Sequence, residues 1–395
     1  MKNSGIEMRE YDYIAVGAGL AGSIIARRLA EDKGKKTLVL ERRDHIGGNT
    51  YDFRDPHGIR VQKYGPHVIH TNDEQVRRFI TRFCEPEDYR TKCEAVINGT
   101  STPSPFNFKT IDQFYGAEEA AALKNRLISY YEGRPSVTVV ELLEAEDDDI
   151  RGFAEFLFEN DYRPYTAKQW ALDPSEIDPS VLKRVPVVLS YGDTYFYDKY
   201  EFIPKNGFEE LARSILDHPN IEVRCKTDAL ELISFDEADG RVLFDNRDCR
   251  LIYTGAVDEL FQYRFGVLPY RSLHFDFRSV QQKSFQNTAI VAYPQEPGFT
   301  RITEYTKMPY QEGGGWTCVA YEYPVPYDIR AEKGNEPYYP VLTEESKAAY
   351  ERYRAYAERF PGLTLCGRLA EFKYYNMDQV ILRALEVSEE LEKRI

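Results

Sequence analysis

Two kinds of hydrophobic spacing alternate along the first fifty residues of the chain. Residues 13–16 and 37–40 are short apolar runs of the length expected for buried strands, and the apolar positions of 19–29 recur at helical spacing. The order strand, turn, helix, strand predicts a right-handed βαβ unit with parallel strands. The chain is therefore expected to contain an α/β domain near its start.

The later part of the chain predicts a helical stretch followed by antiparallel strands. Apolar positions of 110–182 follow mostly helical spacing, with the acidic run 144–149 as a solvated loop. Three prolines of 174–186 interrupt the stretch after Trp170 and predict an irregular, mobile loop. Helices are also predicted at 74–83, 208–216, 343–360 and 379–395, and strands at 186–204, 221–246 and 266–327.

Composition narrows the class of protein. The 395 residues are 42% hydrophobic and 29% charged, which is ordinary for a soluble enzyme with more than one core. A net charge of −14 with no basic stripe excludes nucleic acid as the expected partner. The six cysteines form no CxxC pair and no zinc-type spacing, so reduced thiols and no metal site are expected. No signal-peptide region and no apolar run of roughly 20 residues is found, so a cytoplasmic protein without membrane insertion is expected.

A glycine motif follows the first apolar run and opens the first helix. Gly17 makes a tight turn, Gly19 lets the backbone approach a pyrophosphate, and Gly22 lets the helix pack closely. The helix N-terminus, with Leu20 in its first turn, attracts the phosphate charge. Glu41 ends the second strand 19 residues after Gly22, where it would accept a hydrogen bond from a ribose hydroxyl. The pattern predicts a bound dinucleotide.

A second pair of glycines lies just beyond the acidic residue. Arg42 leads into this turn, and Gly47, Gly48 and Asn49 follow it. A GG pair at this place resembles flavoprotein oxidoreductases of the amine-oxidase type, in which the chain passes close to FAD. NAD enzymes do not usually carry such a pair. The resemblance therefore implies FAD as the cofactor and these residues as part of its site.

Several further blocks of sequence keep one order from residue 13 to residue 381. They read YGPHVIHT at 64–71, YTAKQW at 165–170, Lys183-Arg184-Val-Pro 14 residues beyond Trp170, YTGAVDELF at 253–261, YRSL at 270–273, TRITE at 300–304, YEYP at 321–324 and CGRL at 366–369, with Tyr374 and Met377 behind. This ordered set resembles the UDP-galactopyranose mutase family over nearly the whole chain.

The resemblance implies a fold and an activity. The expected fold is α/β, with a Rossmann-like FAD-binding domain, a helical insertion and an antiparallel β-sheet domain. The expected parts are 1–90, 205–265 and 345–395 for a discontinuous FAD-binding domain, 100–184 for a helical domain with a mobile substrate lid, and 185–204 and 266–344 for the sheet domain. The implied enzyme is an isomerase that interconverts UDP-galactopyranose and UDP-galactofuranose for cell-surface glycans. It would act through an adduct between the sugar and N5 of reduced FAD, and a homodimer is expected.

The resemblance also implies roles for individual residues. Arg184 and Arg301 would clamp the diphosphate, because a guanidinium fork fits phosphate oxygens. His67 would lie with its backbone near the flavin, and Arg368 would lie near flavin N5. These four form the expected catalytic group. Gly367 and Met377 would join the cofactor site, and the remaining substrate residues would be Tyr165, Thr166, Trp170, Tyr191, Tyr195, Glu322, Tyr339 and Tyr374.

Five positions depart from the family pattern and leave the substrate open. Thr91, Asp161 and Ala292 lie on the side that reads uracil in the family, where asparagine or aromatic residues are usual, and Val188 and Asn376 differ elsewhere. A mutase of the same mechanism on dTDP-fucopyranose or UDP-N-acetylgalactosamine is therefore an alternative. Two further alternatives are an amine-oxidase-type FAD oxidoreductase and a non-catalytic protein that binds a flavin or a nucleotide sugar.

Overall fold

The computed structural model describes residues 11–170, 185–331 and 335–393. Its helices are α1 (Leu20–Lys33), α2 (Glu74–Ile80), α3 (Phe108–Phe114), α4 (Ala117–Tyr130), α5 (Val139–Leu143), α6 (Asp148–Leu157), α7 (Arg163–Trp170), α8 (Phe208–Leu216), α9 (Val257–Leu260), α10 (Glu344–Ala357) and α11 (Met377–Glu392). Its strands are β1 (Tyr13–Val16), β2 (Thr37–Leu40), β3 (Asp52–Arg54), β4 (Arg60–Gln62), β5 (Ile69–Thr71), β6 (Pro86–Asp88), β7 (Cys93–Ile97), β8 (Thr100–Ser104), β9 (Ser136–Val137), β10 (Val187–Val188), β11 (Tyr200–Pro204), β12 (Ile221–Arg224), β13 (Ile233–Asp236), β14 (Arg241–Phe244), β15 (Arg247–Asp248), β16 (Leu251–Tyr253), β17 (Tyr270–Val280), β18 (Ile290–Ala292), β19 (Arg301–Glu304), β20 (Thr317–Pro326), β21 (Tyr339–Pro340) and β22 (Leu363–Leu365).

A five-stranded parallel sheet forms the centre of the dinucleotide domain. Its strand order is β12-β2-β1-β16-β22, and β1 is hydrogen-bonded to β2 on one side and to β16 on the other. Every residue of β2 is buried, as expected for a parallel strand that is covered on both faces. One face packs against α1, α8 and α11, and the other packs against α9 and α10. This arrangement confirms the predicted Rossmann-like α/β domain and its opening βαβ unit.

A seven-stranded sheet forms the second large element, with the strand order β21-β17-β20-β19-β18-β7-β8. Only β18 and β7 are parallel neighbours, so the predicted antiparallel sheet is confirmed. Its register places Arg301 of β19 opposite Glu322 of β20, and Tyr339 of β21 opposite Arg271 of β17. The sheet therefore brings together polar residues that are far apart in sequence.

The helical stretch predicted at 110–182 is present as helices α3 to α7 over the described residues. Its acidic run is more than a solvated loop, because the side chain of Asp147 caps α6 by accepting from the N–H groups of Asp149 and Ile150. A π-helical turn, Phe158–Tyr162, separates α6 from α7. Such turns insert one residue into a helix and shift the side chains that follow.

Residues 186–204 do not form the single strand that their aromatic and polar alternation predicts. Only β10 and β11 are strands within this range, and the residues between them are irregular. Phe196 stacks on His70 with a ring-centroid separation of 3.7 Å. This contact keeps the segment from forming an extended strand. β11 pairs with β5 and β6 rather than with the seven-stranded sheet. The domain boundaries stay a prediction, and most of the predicted lid, 171–184, lies outside the described residues.

Among the described helices, none is long and apolar enough to cross a membrane. Within the described parts of the chain, no group of three or more His, Cys, Asp or Glu side chains could hold a metal ion. The six cysteines are free thiols.

Candidate active site

The first glycine turn tolerates no side chain at two of its positions. Gly17 has a φ of +102°, and a Cβ there would lie 2.1 Å from Oγ1 of Thr254. A Cβ on Gly22 would lie 2.1 Å from the carbonyl oxygen of Gly17, so α1 packs directly on the turn. Gly19 is the N-cap of α1. The N-terminus of α1 is therefore open to a phosphate group.

Glu41 joins the glycine turn to the chain that follows β2. Its buried carboxylate accepts from the backbone N–H of Ala18 at 3.0 Å and from that of Arg43 at 2.9 Å. Each carboxylate oxygen keeps a second lone pair, so a ribose hydroxyl could still donate to it. The position fits the role that the sequence predicts for this acid.

The second glycine pair lies against the first turn. Gly48 has a φ of +57°, and a Cβ there would lie 2.9 Å from the Cα of Gly19. The N–H of Gly47 donates to the carbonyl of Ala18 at 2.8 Å. The two turns thus form a cradle of bare backbone that any side chain would fill. This contact gives a physical reason for the GG pair, which the sequence supported only by resemblance.

A cleft runs from this cradle towards the seven-stranded sheet. Its lining includes every predicted cofactor residue except Gly22, namely Gly17, Gly19, Leu20, Glu41, Arg42, Gly47, Gly48, Asn49, His67, Gly367, Arg368 and Met377. It also includes residues that the sequence analysis did not single out, among them Thr227, Asp228, Leu230, Thr254, Tyr338 and Tyr375. No local pattern marks the second set, because distant segments supply it. Backbone turns at one end and mixed polar and apolar groups at the other suit a long dinucleotide.

Four charged residues form a salt-bridge network at the margin of the cleft. Arg42 lies 3.0 Å from the carboxylate of Glu259 and 3.3 Å from that of Glu336. Arg43 lies 3.0 Å from Glu336 as well. Burial alone would raise the pKa of Glu336, but the two arginines outweigh it and hold this pKa below its usual range. Residue 336 thereby links the turn after β2 to the segment that carries Tyr338.

Replacing Glu336 with glutamine is expected to speed the release of bound flavin several-fold. The change removes two half-buried ion pairs, each worth up to about 1 kcal/mol, that fasten one wall of the cleft to another. The release rate can be followed by flavin fluorescence after dilution into excess apoprotein. Glu344→Gln is the matched control, because its carboxylate is exposed and pairs with Lys347. Equal release rates for both variants and the unchanged chain would show that Glu336 does not retain the cofactor.

His67 lies where the cleft meets the seven-stranded sheet. Its Nδ1 lies 2.8 Å from the carbonyl oxygen of Gly65, and its own carbonyl accepts from the side chain of Gln62 at 3.1 Å. Burial lowers the pKa of His67 to about 4, and the positive charges of Arg368 and Arg301 act in the same direction. The imidazole is therefore neutral at neutral pH and donates from Nδ1 to Gly65, which leaves Nε2 as an acceptor.

Arg301 and Glu322 form a partly buried ion pair on adjacent strands. Nε of Arg301 lies 2.8 Å from Oε2 of Glu322, and Glu322 is only 2% exposed. Burial would lower the pKa of Arg301, but Glu322 outweighs this and keeps the guanidinium charged. Among the described residues, the two Nη groups make no hydrogen bond to the chain. This geometry leaves the outer fork of a fixed, half-buried cation available to an anion.

Aromatic rings surround the entrance to this ion pair. The rings of Tyr339 and Tyr374 stack with centroids 5.4 Å apart, and Trp170 lies 6.0 and 6.2 Å from them. The guanidinium of Arg368 lies over both tyrosines, 5.2 and 5.1 Å from their centroids. Arg368 also lines the cleft, so it connects the cleft to this aromatic group.

Tyr165 and Tyr195 extend the same group. Burial raises the pKa of Tyr165 above its usual value, while the charge of Arg301 opposes that rise, so the phenol lies within electrostatic reach of the guanidinium. Tyr195 lies within the same reach of Tyr165. Together with Thr166, which is buried on α7, these residues bring most of the predicted substrate site to one place.

Two predicted substrate residues are not part of this group. Tyr191 is 59% exposed, and its hydroxyl contacts Asp112 at 2.7 Å and Lys124 at 2.9 Å in the helical region. The structure therefore does not bring Tyr191 to the site. Arg184 lies outside the described residues, and its role in holding the diphosphate stays a prediction.

One buried cation in this region was missed by the sequence analysis. Arg271 is 7% exposed, lies opposite Tyr339 in the sheet and donates from Nε to the carbonyl of Gln169 at 3.0 Å. It has no carboxylate partner among the described residues, and burial lowers its pKa. Arg271 is part of the YRSL block, but nothing in the sequence of that block indicates that its side chain is buried beside the site.

Comparisons with known proteins find members of one enzyme family that match nearly the whole chain. A family model described as UDP-galactopyranose mutase matches residues 160–374, and one described as an NAD(P)-binding Rossmann-like domain matches residues 16–83. A probable UDP-galactopyranose mutase of Klebsiella pneumoniae is 33% identical over 97% of this chain and 95% of its own length. A dTDP-fucopyranose mutase of Escherichia coli is 32% identical over 95% of this chain and 97% of its own.

A crystal structure of a reduced UDP-galactopyranose mutase has a similar fold, with a TM-score of 0.73 at 18% identity over 98% of this chain and 94% of its own. At that identity the likeness concerns the fold alone. FAD is the cofactor of the chain, and the cleft between the glycine turns and His67 has a lining that fits it. The matched family model and the full-length relatives together show that the chain belongs to the UDP-galactopyranose mutase family.

Proposed function

We propose that the chain is an isomerase that interconverts UDP-galactopyranose and UDP-galactofuranose, with FAD in its reduced form, and supplies the furanose for cell-surface glycans. One observation carries this proposal. A half-buried arginine with a free fork, Arg301, lies within electrostatic reach of both His67 of the cleft and the phenol of Tyr165. That arrangement suits a diphosphate whose sugar points to the flavin.

The residues of the chain would act mainly on the leaving group. Reduced FAD supplies the nucleophile for the anomeric carbon, and the covalent chemistry is that of the cofactor. Arg301 would stabilise the charge that develops on the departing diphosphate, with the hydroxyls of Tyr165, Tyr339 and Tyr374 as further donors. Glu322 would orient Arg301 through its Nε, so that both Nη groups face the ligand. Trp170 and the stacked tyrosines would exclude water from this end.

A net oxidation of substrate is the competing activity. An amine-oxidase-type enzyme would share the glycine turns and the cleft. It has no use for a half-buried guanidinium whose fork is free beside a set of phenols, because its substrate carries no diphosphate. The ion pair of Arg301 and Glu322 therefore favours the isomerase over the oxidoreductase.

The preferred nucleotide sugar has a second candidate. The name of the Escherichia coli relative is dTDP-fucopyranose mutase, and that relative is about as similar to this chain as the Klebsiella pneumoniae protein. The same diphosphate site would serve either substrate. A cytoplasmic homodimer also stays a prediction, and sedimentation of the flavin-loaded protein tests the dimer.

The test is a product assay under reducing conditions. The purified protein is reduced with dithionite and incubated with UDP-galactopyranose, UDP-galactofuranose and dTDP-fucopyranose, and the products are resolved by anion-exchange chromatography. We expect interconversion of the two UDP sugars only with the reduced protein. Turnover of the dTDP sugar alone would keep the mechanism and change the substrate. A flavin-containing protein that is inert to all three would overturn the proposal.

A further inference from the structure

Asp161 holds an unusual position at the end of the π-helical turn. Its neighbour Tyr162 turns into the helical core, packs on Phe106 with ring centroids 5.8 Å apart, and donates its hydroxyl to the carbonyl of Val185 at 2.8 Å. Asp161 itself stays partly accessible, although protein surrounds it on most sides. The turn therefore presents a partly accessible carboxylate that protein atoms surround on most sides.

That carboxylate has no partner within the described parts of the chain. It accepts no hydrogen bond and forms no ion pair there, and burial alone raises its pKa to about 7. Leaving an ionised group desolvated and unpaired is costly, so such groups in native proteins usually meet a ligand or a counter-charge. A second polar group, just before β7, also lacks a hydrogen-bond partner within these parts. Thr91 is 2% exposed, and its Oγ1 has no hydrogen-bond partner among the described residues.

The surroundings of Asp161 belong to the far end of the substrate site. Thr91 lies just before β7, which packs against the π-helical turn, and its carbonyl accepts from the N–H of Tyr195 at 2.7 Å. On the other side of β7, Ala292 of β18 pairs with Ala95 and contributes only a methyl group. β7 therefore has an unpaired hydroxyl just before its first residue and a small side chain beside its middle residue.

The direction of the bound substrate follows from the residues already described. Tyr165 comes four residues after Asp161, so the two lie on one side of the helical segment. Tyr195 is within electrostatic reach of both Tyr162 and Tyr165. With the diphosphate at Arg301 and Tyr165 and the sugar towards the flavin, the nucleoside extends towards Asp161.

We propose that the Asp161 carboxylate accepts a hydrogen bond from the N3–H of a uracil or thymine base and thereby selects the nucleotide. This inference rests on the proposed function, because the diphosphate position orients the base. Uracil and thymine both carry the N3–H donor, so they share the chemistry. Cytosine carries a lone pair at N3 instead, and an ionised carboxylate repels it. In this chain a single charged acceptor, the carboxylate of Asp161, would therefore recognise the base.

Binding to the oxidised, FAD-loaded enzyme tests the base separately from turnover. Calorimetry at about pH 8.5, where the carboxyl of Asp161 is ionised, would compare UDP, dTDP, CDP, GDP and UDP methylated at N3, for the unchanged chain and for Asp161→Ala and Asp161→Asn. We expect UDP and dTDP to bind about 10- to 100-fold more tightly than CDP and N3-methyl-UDP, the range for a hydrogen bond to a charged group. Asp161→Ala should reduce these ratios to within about threefold.

The asparagine variant provides the sharper result. An amide can donate to the N3 lone pair of cytosine, so Asp161→Asn should gain affinity for CDP, and this gain cannot come from misfolding. Asp148→Ala, an exposed carboxylate of α6 with an 88% exposed side chain, is the matched control and should leave all ratios unchanged.

Equal binding of UDP and N3-methyl-UDP by the unchanged chain would overturn the proposal. Tighter binding of GDP than of UDP would overturn the assignment to a pyrimidine base. Because no turnover is needed, loss of base discrimination and absence of mutase activity are separate results. In the product assay, Asp161→Ala should raise KM with little change in kcat, because the base lies far from the reacting atoms.

Discussion

Replacing Arg301 with alanine is expected to lower kcat by about 10²- to 10³-fold while the protein keeps its FAD. The guanidinium is half-buried, charged and oriented through its Nε by Glu322, which leaves its outer fork for the diphosphate. The negative charge on that diphosphate grows as the bond to the sugar breaks. An interaction that strengthens in the transition state affects kcat more than binding.

The lysine variant separates charge from geometry. Arg301→Lys keeps one positive charge but lacks the planar fork and the Nε donor, so it should recover only part of the lost rate. Arg278→Ala is the matched control, since Arg278 is exposed on the same sheet and pairs with Asp276. Flavin content and thermal unfolding of each variant would show that the fold is kept. An Arg301→Ala variant with unchanged kcat would remove Arg301 from the mechanism.

Replacing Gly22 with alanine is expected to give a protein that contains almost no flavin. The added Cβ would lie 2.1 Å from the carbonyl oxygen of Gly17 and 3.3 Å from its carbonyl carbon, and both are backbone atoms. The contact can be relieved only by moving the glycine turn away from α1. That movement would disrupt both the turn and its contact with Gly48, where we expect FAD to bind.

The ratio of flavin to protein after purification measures this effect. Gly152→Ala is the matched control, because Gly152 is inside α6 and an added Cβ there meets nothing within 4 Å. That variant should keep its flavin and gain up to about 1 kcal/mol of stability from the better helix former. Full flavin content in Gly22→Ala would mean that the turn adapts and that the close packing is not required.

Local signals made the dinucleotide domain predictable from the sequence. The apolar runs of β1 and β2, the glycines and Glu41 lie within about thirty residues, and each acts on its near neighbours. The helix predicted at 208–216 has the observed bounds for the same reason, since one turn of a helix depends on residues close in sequence. Most of the predicted cofactor residues accordingly line one cleft, while their contact with FAD stays a prediction.

The features that the sequence could not predict depend on contacts between residues that are far apart in the chain. The alternation of 186–204 resembles a strand, but whether such a segment joins a sheet depends on a free neighbouring edge and on rings such as His70. Tyr191 carries the expected chemistry and points to a different partner, Asp112. Arg271 and Glu336 are placed by strand order and by a long-range ion pair, and neither leaves a local pattern.

The resemblance to a family predicted the residues of the substrate site. The fold then brings most of them together. Arg301 and Glu322 are 21 residues apart in sequence and become partners through the register of β19 and β20. Tyr339 and Tyr374 meet across still longer separations. Spacing alone cannot predict such contacts, whereas the ordered blocks of a family imply them together.

The most direct test of the central claim counts turnovers after a single reduction. The FAD-loaded protein would be reduced once, freed of excess reductant without oxygen, and mixed with a large excess of UDP-galactofuranose. An isomerisation has no net redox change, so we expect many molecules of UDP-galactopyranose per flavin while the flavin stays reduced. Conversion that stops at one molecule per flavin, with the flavin becoming oxidised, would contradict the account and identify an oxidoreductase.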